Sequence, residues 1–361
     1  MTNIRYGIIG SGMMGQEHIR NLALIDGTEV SAVADPNTQM RDSAAALAGP
    51  GCAAFDHHGA LLDADLCDAI VIAAPNHLHQ PILNDVLPLE MPLLVEKPLG
   101  ISGPQCEAII RQAAPRRAPV WVAMEYRYMP PIARMLAELR AGTAGAPKMI
   151  AIREHRFPFL SKVDNWNRFQ DQTGGTLIEK CCHFFDLMRL VAGAEATRIY
   201  ASGGMDVNFR DEKVDGRAAD MLDNAFVIVD FENGMRGMLD LCMFAEGAYW
   251  QESVSVAGDK ARIDAFVPGP ARFAPGGKER ASQVVISPRE SKAPIIEDIM
   301  IDEAILSAGD HHGSTYYQHE KFLRLIREGG EPEVTMTDGA KAVEIGAAAE
   351  ESARTGLPIM L

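Results

Sequence analysis

Glu179 and His183 are two ionisable residues whose spacing could serve acid–base chemistry. They lie four residues apart in a helix-like segment after Gly174-Gly175, and this spacing places both side chains on one face of a helix. Histidine suits proton transfer because its unperturbed pKa lies near neutral pH. The pair could also bind a metal, but no third ligand is evident, so we predict no metal site. Alternatively, His183 is a core residue packed on the neighbouring phenylalanines.

Lys97 is a second candidate for chemistry because it directly follows an apolar, strand-like run at residues 93–96. If that run is a parallel strand, Lys97 lies at the carboxyl edge of the sheet, where open α/β sheets bind ligands. An ammonium group there can polarise a carbonyl or stabilise a developing alkoxide. Taken alone, Lys97 could also be a solvated lysine at the end of a strand.

The segment Gly10-Ser11-Gly12-Met13-Met14-Gly15 has the G-x-G-x-x-G pattern, between a predicted strand and a predicted helix. The first glycine of this pattern permits a tight turn, the second lets the backbone approach a pyrophosphate, and the third allows close packing of helix on strand. The helix N-terminus adds free N–H groups for phosphates. A glycine-rich turn without a ligand is the alternative.

Asp35 ends the second predicted strand, twenty residues after Gly15. An acidic residue at this place can accept hydrogen bonds from the ribose hydroxyls of NAD and would repel the 2′-phosphate of NADP. Arg41, one turn later, is the feature that could favour NADP instead. Asp35 could also merely cap the next helix. We predict NAD as the cofactor.

Two differently organised parts of the chain must position these residues. Residues 1–125 alternate apolar runs with helix-like segments, which predicts a doubly wound (Rossmann) parallel sheet and an NAD-binding domain. Residues 126–361 contain many strand-like runs and a helix over 176–191. We predict there an α+β domain with a large, mostly antiparallel open sheet. Pro and Gly in residues 268–292 predict a loop, which could act as a lid.

Composition limits the classes of partner and the compartment. The net charge of −15 disfavours nucleic acid and membrane surfaces as partners. The first residues do not resemble a signal peptide, and no apolar run approaches the roughly 18 residues that span a bilayer. The six cysteines are scattered without a C-x-x-C pair, which favours neither a zinc site nor a disulfide framework. We therefore expect a cytoplasmic protein.

Three more motifs occur in order along the chain: Ala74-Pro75-Asn76-His77-Leu78-His79, Glu96-Lys97-Pro98 and residues 174–186, which carry Glu179 and His183. With the glycine motif, they resemble the glucose–fructose oxidoreductase / inositol dehydrogenase / rhizopine-catabolism family. The resemblance covers essentially the whole chain. It implies an NAD-dependent oxidoreductase in which the α+β domain over residues 126–361 serves substrate binding and oligomerisation. Family members often have a cis peptide bond before the proline of the Glu-Lys-Pro motif.

The resemblance also implies roles for individual residues. Lys97 would contact the reacting oxygen beside the nicotinamide, Glu96 would reach the cofactor ribose or hold Lys97, and His183 would be the general acid/base. Glu179 stands where the family usually has Asp, a departure that bears on the substrate more than on the reaction. The residues assigned to cofactor binding are Gly10, Ser11, Gly12, Met13, Met14, Gly15, Asp35, Ala74, Pro75, Asn76, His79, Glu96 and Lys97.

A further set of residues is predicted to contact the substrate. Asp164 and Asn165 beside Trp166 combine polar groups with an aromatic plane that could stack on a sugar. The loop-like segment 310–316 could direct His312 and Tyr316 into the same cleft, or it could only cap the following helix. The predicted substrate-binding residues are Lys97, Tyr126, Arg153, His155, Asp164, Asn165, Trp166, Glu179, His183, His312 and Tyr316.

The predicted function is reversible oxidation of a secondary hydroxyl on a sugar, inositol or related polyol by an enzyme that forms a homodimer or homotetramer. Two alternatives remain open at this point. A redox-neutral glycoside lyase or hydrolase could use the same lysine and histidine through transient oxidation. A non-catalytic NAD-binding sensor on the same fold would need neither residue.

Overall fold

Strands and helices alternate along the first part of the chain in the computed structural model, which describes residues 3–274, 277 and 280–361. The elements are β1 (Ile4–Ile9), α1 (Met13–Leu22), β2 (Thr28–Ala34), α2 (Thr38–Ala48), β3 (Ala53–Phe55), α3 (His58–Asp63), β4 (Ala69–Ile72), α4 (His79–Val86), β5 (Leu93–Val95), α5 (Gly103–Ala113) and β6 (Val120–Val122). All strands of this sheet are parallel, in the order β3-β2-β1-β4-β5-β6. The predicted Rossmann sheet is confirmed. The short elements β3 and α3 were not predicted.

The order of the strands explains where a ligand can bind. The central strands β4 and β5 are buried along their whole length, as expected of parallel strands covered on both faces. The chain order reverses between the neighbours β1 and β4, which makes the crevice at their carboxyl ends a topological switch point. The glycine motif follows β1, Ala74 to Asn76 follow β4, and Lys97 follows β5, so all three motifs meet at this edge.

The rest of the described chain builds a second sheet of nine strands, a separate sheet of two short strands, and helices. The elements are α6 (Pro130–Arg140), β7 (Pro147–His155), α7 (Gln170–Thr173), α8 (Thr176–Glu179), α9 (Cys182–Ala192), β8 (Ala196–Gly204), β9 (Lys213–Val214), β10 (Arg217–Ala218), β11 (Asn224–Phe231), β12 (Arg236–Cys242), β13 (Glu252–Gly258), β14 (Ala261–Val267), β15 (Ser282–Pro288), β16 (Ile295–Ile299), α10 (Glu303–Ser307), α11 (Ser314–Glu328), α12 (Met336–Thr355) and β17 (Ile359–Met360). The sheet order is β16-β15-β14-β13-β7-β12-β11-β8-β17. Its pairs are antiparallel apart from β7 and β12, which confirms a mostly antiparallel sheet.

One face of the second sheet packs on helices and the other is exposed. Along β11 the buried residues alternate with exposed ones, the pattern of a strand with one covered face. Helices α9 and α12 pack against β7 and β8. The closing helices α11 and α12 also return to pack on α1 and α5 of the first sheet. We propose to keep residues 125/126 as the boundary, since the chain passes there from the first sheet to the second.

Two sequence predictions are corrected by the structure. The predicted loop at 268–292 contains strand β15, whose Val284 and Ile286 are buried while their neighbours are partly exposed. Residues 275, 276, 278 and 279 of that stretch lie outside the described part of the chain, so the prediction of a lid is not settled there. The predicted helix at 176–191 is interrupted at Lys180 and Cys181, which separates α8 from α9.

Among the described residues, none of the helices is both long and apolar enough to cross a membrane.

Candidate active site

A cavity of about 1260 Å³ opens at the carboxyl edge of the first sheet. This volume exceeds the roughly 300–1,000 Å³ of a typical site for one small molecule. One side is formed by the ends of β1, β2, β4 and β5, and the other by residues between Arg156 and His183. The cavity therefore has room for an extended ligand along the sheet edge and a second, smaller one beside it.

The glycine motif forms a cradle that side chains would fill. A Cβ on Gly10 would lie 2.6 Å from the backbone of Ala73, and one on Gly15 would collide with the carbonyl oxygen of Gly10. A Cβ on Gly12 would meet nothing within 4 Å, because Gly12 faces the cavity at the start of α1. This arrangement fits a pyrophosphate on the helix N-terminus. Of the predicted motif, Gly10, Gly12, Met13 and Met14 line the cavity, whereas Ser11 and Gly15 support it from behind.

Asp35 is held at the cavity wall by the backbone. Its carboxylate accepts hydrogen bonds from the N–H of Ser11 at 2.7 Å and the N–H of Asn37 at 2.8 Å. The N-cap of α2 is Asn37, not Asp35, so the interpretation of Asp35 as a helix cap is wrong. Arg41 donates to the carbonyl oxygen of Asp35 at 3.2 Å and pairs with Asp42 at 3.7 Å. A carboxylate fixed in this way fits a ribose as a hydrogen-bond acceptor.

Lys97 extends from the end of β5 to the far wall of the cavity. Its Nζ donates to the carbonyl oxygen of Glu179 at 2.8 Å and lies 3.6 Å from Glu179 Oε2. Burial acts to lower the pKa of Lys97, but Glu179 and other neighbouring acidic groups raise it above its ordinary value. The amine therefore stays protonated. The peptide bond between Lys97 and Pro98 is cis, as the family resemblance implied.

Glu96 is tied to a buried pair of histidines. Its carboxylate lies 3.0 Å from His18 Nε2, and His18 Nδ1 lies 2.8 Å from His319 Nε2 of α11. Burial would raise the pKa of Glu96, but the contact with His18 and the charge of Lys97 lower it below its ordinary value. Glu96 thus provides a fixed negative charge behind Lys97. The sequence did not single out either histidine.

Glu179 is a buried carboxylate shared by two lysines. Asn76 donates to its Oε2 at 2.5 Å, while Lys162 Nζ lies 3.5 Å from Oε1, opposite Lys97. Burial would raise the pKa of Glu179, but Lys97 and Lys162 lower it, so the group is ionised. Lys162 lines the cavity and was missed at the sequence level, because no local pattern marks it.

His183 stands on the cavity wall, stacked flat on the ring of Tyr126. The ring centroids are 4.0 Å apart and the planes differ by 6°. Burial, followed by the charges of Lys97 and Lys180, lowers the pKa of His183 well below 6.5. The imidazole is therefore neutral, and its buried Nδ1 has no hydrogen-bond partner among the described residues. A neutral imidazole can accept a proton from a ligand hydroxyl.

Comparison with protein families decides the identity of this arrangement. A model of the oxidoreductase family's NAD-binding Rossmann fold matches residues 4–124, and a model of its C-terminal alpha/beta domain matches residues 137–361. The chain belongs to the Gfo/Idh/MocA oxidoreductase family. It is an NAD-dependent oxidoreductase, with the glycine cradle and Asp35 as the residues that fit the cofactor.

Three similar proteins illustrate the range of this Gfo/Idh/MocA family. The rhizopine catabolism protein MocA of Rhizobium meliloti is 27% identical over 241 residues, which are 67% of this chain and 72% of MocA. The myo-inositol 2-dehydrogenase of Thermotoga maritima is 24% identical over 350 residues, which are 97% of this chain and 96% of that enzyme. A levoglucosan dehydrogenase solved with NADH superposes with a TM-score of 0.82 at 19% identity, covering 99% of each chain.

Two predicted substrate residues, Arg153 and His155, lie on the face of β7 that points away from the cavity. Both pair with Asp240 on the exposed face of the second sheet, at 2.8 and 3.0 Å. Side chains alternate along a strand, so the cavity side receives Glu154 and Arg156 instead. The prediction was wrong by one residue of register.

The other predicted substrate residues divide between the cavity and its surroundings. Asp164 and Trp166 line the cavity, whereas Asn165, with φ of +47°, does not. Tyr126 is buried behind His183 and does not reach the cavity surface. Its hydroxyl accepts a hydrogen bond from Lys180, which also pairs with Glu154 at 2.9 Å.

His312 and Tyr316 do not line the cavity, contrary to prediction. His312 borders a separate pocket beside Arg272 and Asp310, and Tyr316 contacts Glu320 on α11. The neighbouring His311 enters the cavity instead. The left-handed backbone of His312, with φ of +52°, accompanies this change of direction.

His311 lies between two buried carboxylates, Glu17 of α1 at 2.8 Å and Glu125 at 3.6 Å. Burial acts to lower the pKa of His311, but these carboxylates raise it to about 9. The protonated imidazole therefore ties the segment before α11 to the first sheet.

Among the predicted cofactor residues, Ala74, Pro75, Asn76, Glu96 and Lys97 line the cavity. His79 does not. Its ring nitrogens lie 2.8 Å from the carbonyl oxygen of Pro98 and 3.0 Å from that of Ala74, so it holds two of the cavity's loops together. No group of three or more His, Cys, Asp or Glu side chains in the described residues could hold a metal ion.

Proposed function

We propose that the protein catalyses reversible oxidation of a secondary hydroxyl on a sugar, inositol or related polyol. The observation that carries the proposal is the convergence of Lys97, Glu179 and His183 on one wall of the cavity, opposite the glycine cradle. The names of relatives, such as myo-inositol 2-dehydrogenase, support the same class of substrate. When bound, NAD supplies the hydride acceptor for oxidation.

Lys97 would bind the reacting oxygen. Its ammonium group is charged, is fixed by the carbonyl oxygen of Glu179 and retains further N–H donors. A charge-assisted hydrogen bond from this group stabilises negative charge that develops on oxygen as the hydroxyl proton leaves. Glu179 would keep Lys97 in place and accept hydrogen bonds from hydroxyls of the substrate.

His183 would take the hydroxyl proton while the C–H hydrogen leaves as hydride. Its imidazole lines the cavity and is neutral, and the cations around it lower its pKa, so it enters the reaction able to accept a proton. In the reverse direction the protonated imidazole returns the proton to the oxygen. Trp166 and Asp164 would contact the rest of the substrate by stacking and hydrogen bonding.

We also propose a homo-oligomer that works in a reducing, cytoplasmic compartment. The exposed face of the second sheet carries Tyr200, Ile228 and Met238 side by side on β8, β11 and β12. A second copy of this chain would bury that row. All six cysteines are free thiols, which suits a reducing compartment.

The test is NADH formation, followed by absorbance, across inositols, aldoses, anhydrosugars, sugar acids and glycosides. Lys97→Met and His183→Asn should each lower kcat by about 100-fold or more, in the range of a lost general base or oxyanion donor, while NAD still binds. Cleavage of a glycoside without net NADH would replace the proposal with a redox-neutral lyase. NAD binding without turnover of any compound would replace it with a sensor.

A further inference from the structure

The wall of the cavity opposite the glycine cradle holds more buried positive charge than negative charge. Lys97 and Lys162 share the single carboxylate of Glu179, at 3.6 and 3.5 Å. Lys180 and Arg156 share the carboxylate of Glu154, at 2.9 and 3.6 Å. In this part of the described cavity wall, four cations thus face two paired carboxylates.

Neighbouring acidic groups reduce this excess without removing it. The ionised carboxylate of Glu96, which accepts a hydrogen bond from the backbone N–H of Lys97 at 3.2 Å, is a third negative charge against the four cations. Glu252 lies beside Glu154, and burial together with that neighbour raises its pKa, which favours the neutral acid. His311, on the other side of the cavity, is balanced by Glu17. Asp164 lines the cavity but is exposed, and no described cation lies within 4 Å of it. Partly buried positive charge without a counter-ion is costly, and a bound anion relieves the cost.

Of these four cations, Lys162 is the one most accessible to a ligand. Its side chain is 28% exposed to the cavity, against 6% for Lys180 and 13% for Arg156. Its ion pair with Glu179 at 3.5 Å is longer than the about 2.7–2.9 Å of a strong charge-assisted hydrogen bond. Nζ also lies 4.5 Å from the Trp166 ring, which holds the ammonium group in place.

The position of Lys162 relative to Lys97 fits one small molecule that reaches both. The two amines contact opposite oxygens of the Glu179 carboxylate. The distance between them is therefore limited to the width of that carboxylate plus the two contact distances. A substrate whose hydroxyl reaches Lys97 can therefore place another substituent at Lys162 without leaving the cavity. A neutral hydroxyl there would leave the excess charge in place, whereas a carboxylate would neutralise it.

We propose that the substrate is a polyhydroxy acid whose carboxylate binds Lys162, the most exposed of these four cations. This inference rests on the proposed function, which accounts for the hydroxyl that reacts. It adds the chemical class of the rest of the substrate. Lys162 is then a specificity-determining residue, and neutral sugars and inositols are poorer ligands than sugar acids.

The experiment measures equilibrium binding to the enzyme–NADH complex by calorimetry, so it does not depend on turnover. The probes are D-glucuronate and D-gluconate, with D-glucuronamide and D-gluconamide as their neutral counterparts. In the wild type at least one acid should bind about ten-fold or more tightly than its neutral counterpart, as one charge-assisted contact predicts. Lys162→Met should reduce that advantage to less than about three-fold, and Lys162→Arg should retain most of it.

Lys321 provides the matched control, because it also combines an ion pair, to Glu333 at 2.7 Å, with a contact to an aromatic ring, Tyr128 at 5.3 Å. Lys321→Met should leave every affinity unchanged. The inference is overturned if neutral compounds bind as tightly as the acids, or if Lys162→Met weakens both equally. Acid binding without NADH formation would keep the inference and reject the proposed function. NADH formation from neutral sugars without preference for acids would keep the proposed function and reject the inference.

Discussion

The imidazole of His183 lies flat on the ring of Tyr126, with 4.0 Å between the ring centroids. Tyr126 comes from the short helical turn that follows the first sheet, and His183 from the start of α9. The stack therefore fixes the candidate base on one part of the chain against an element of the other. Since the imidazole Nδ1 has no hydrogen-bond partner in the described chain, the stack is the main contact that sets the plane of the ring.

Two substitutions of Tyr126 should distinguish the contribution of the ring stack to kcat from that of the hydroxyl group. Tyr126→Leu removes the ring and should lower kcat by about ten-fold, since an aromatic pair contributes about 0.5–1.5 kcal/mol to the orientation. Tyr126→Phe keeps the ring but loses the hydroxyl that accepts from Lys180, and its kcat should stay within about three-fold of the wild type. Steady-state kinetics on both variants makes the comparison. Equal losses would show that the hydroxyl, not the stack, matters.

The pH dependence of oxidation follows from the environment of His183. Burial and the nearby cations lower its pKa well below 6.5, so the base is neutral at pH 6.5 and above. The oxidation rate, as kcat/KM at saturating NAD, should therefore stay flat as the pH falls to 6.5, where an unperturbed histidine would be half protonated. Lys97 should add no alkaline decline below about pH 10, because its pKa is raised. An acidic limb centred near pH 7 that vanishes in His183→Asn would contradict this assignment.

Gly12 offers a direct test of the cofactor cradle. A side chain there meets nothing within 4 Å of protein, yet it stands where the pyrophosphate is expected. Gly12→Val should weaken NAD binding by more than about ten-fold while the melting temperature changes by only a few degrees. Gly103→Val is the matched control, since Gly103 also begins a helix in open space but lies outside the cavity. Retained NAD affinity in Gly12→Val would place the pyrophosphate elsewhere.

Asp35 should decide the preference for NAD over NADP. Asp35→Asn keeps an oxygen acceptor for one of the two backbone N–H groups and removes the charge that repels a 2′-phosphate, with Arg41 close by. The ratio of kcat/KM for NAD to that for NADP should fall by about ten-fold or more. Asp42→Asn changes the ion pair of Arg41 without touching the acceptor, and it should leave the ratio nearly unchanged. If both variants shift the ratio equally, Arg41 rather than Asp35 sets the preference.

The features that the sequence predicted well are those coded by short patterns. The parallel sheet followed from buried strands that read as continuous apolar runs. The cradle followed from the glycine pattern, in which a Cβ on Gly10 or Gly15 would collide with backbone while Gly12 faces open space. Lys97 could be placed because it directly follows such a strand. These positions depend on local conformation and on the rule that ligands bind at the carboxyl edge of a parallel sheet.

The features that could not be predicted depend on contacts between distant segments. Lys162 has no pattern around it and becomes part of the site only because Glu179 and Trp166 meet it in space. Arg153 and His155 were assigned to the site although they alternate with the residue that does face the cavity, Arg156. A one-residue error in register moves a side chain to the opposite face of a sheet.

The exposed sheet face supplies the last prediction, which concerns assembly. Ile228 is 48% exposed and lies between Tyr200 and Met238 in one row across three strands. A contiguous apolar row on a flat sheet favours burial against a second copy, at about 25 cal/mol per Å² of apolar area. Sedimentation should show a dimer or tetramer for the wild type, and Ile228→Glu should shift it towards the monomer, with association weakened by about 100-fold.

Val207 serves as the control for this change because it is an equally exposed apolar residue, at 56%, outside the row. Val207→Glu adds the same charge and should sediment like the wild type. A wild type that is monomeric at micromolar concentration, or an Ile228→Glu variant that assembles normally, would show that this face does not hold the copies together. The Arg153 and His155 pair with Asp240 lies on the same face, so these residues would then be free for another partner.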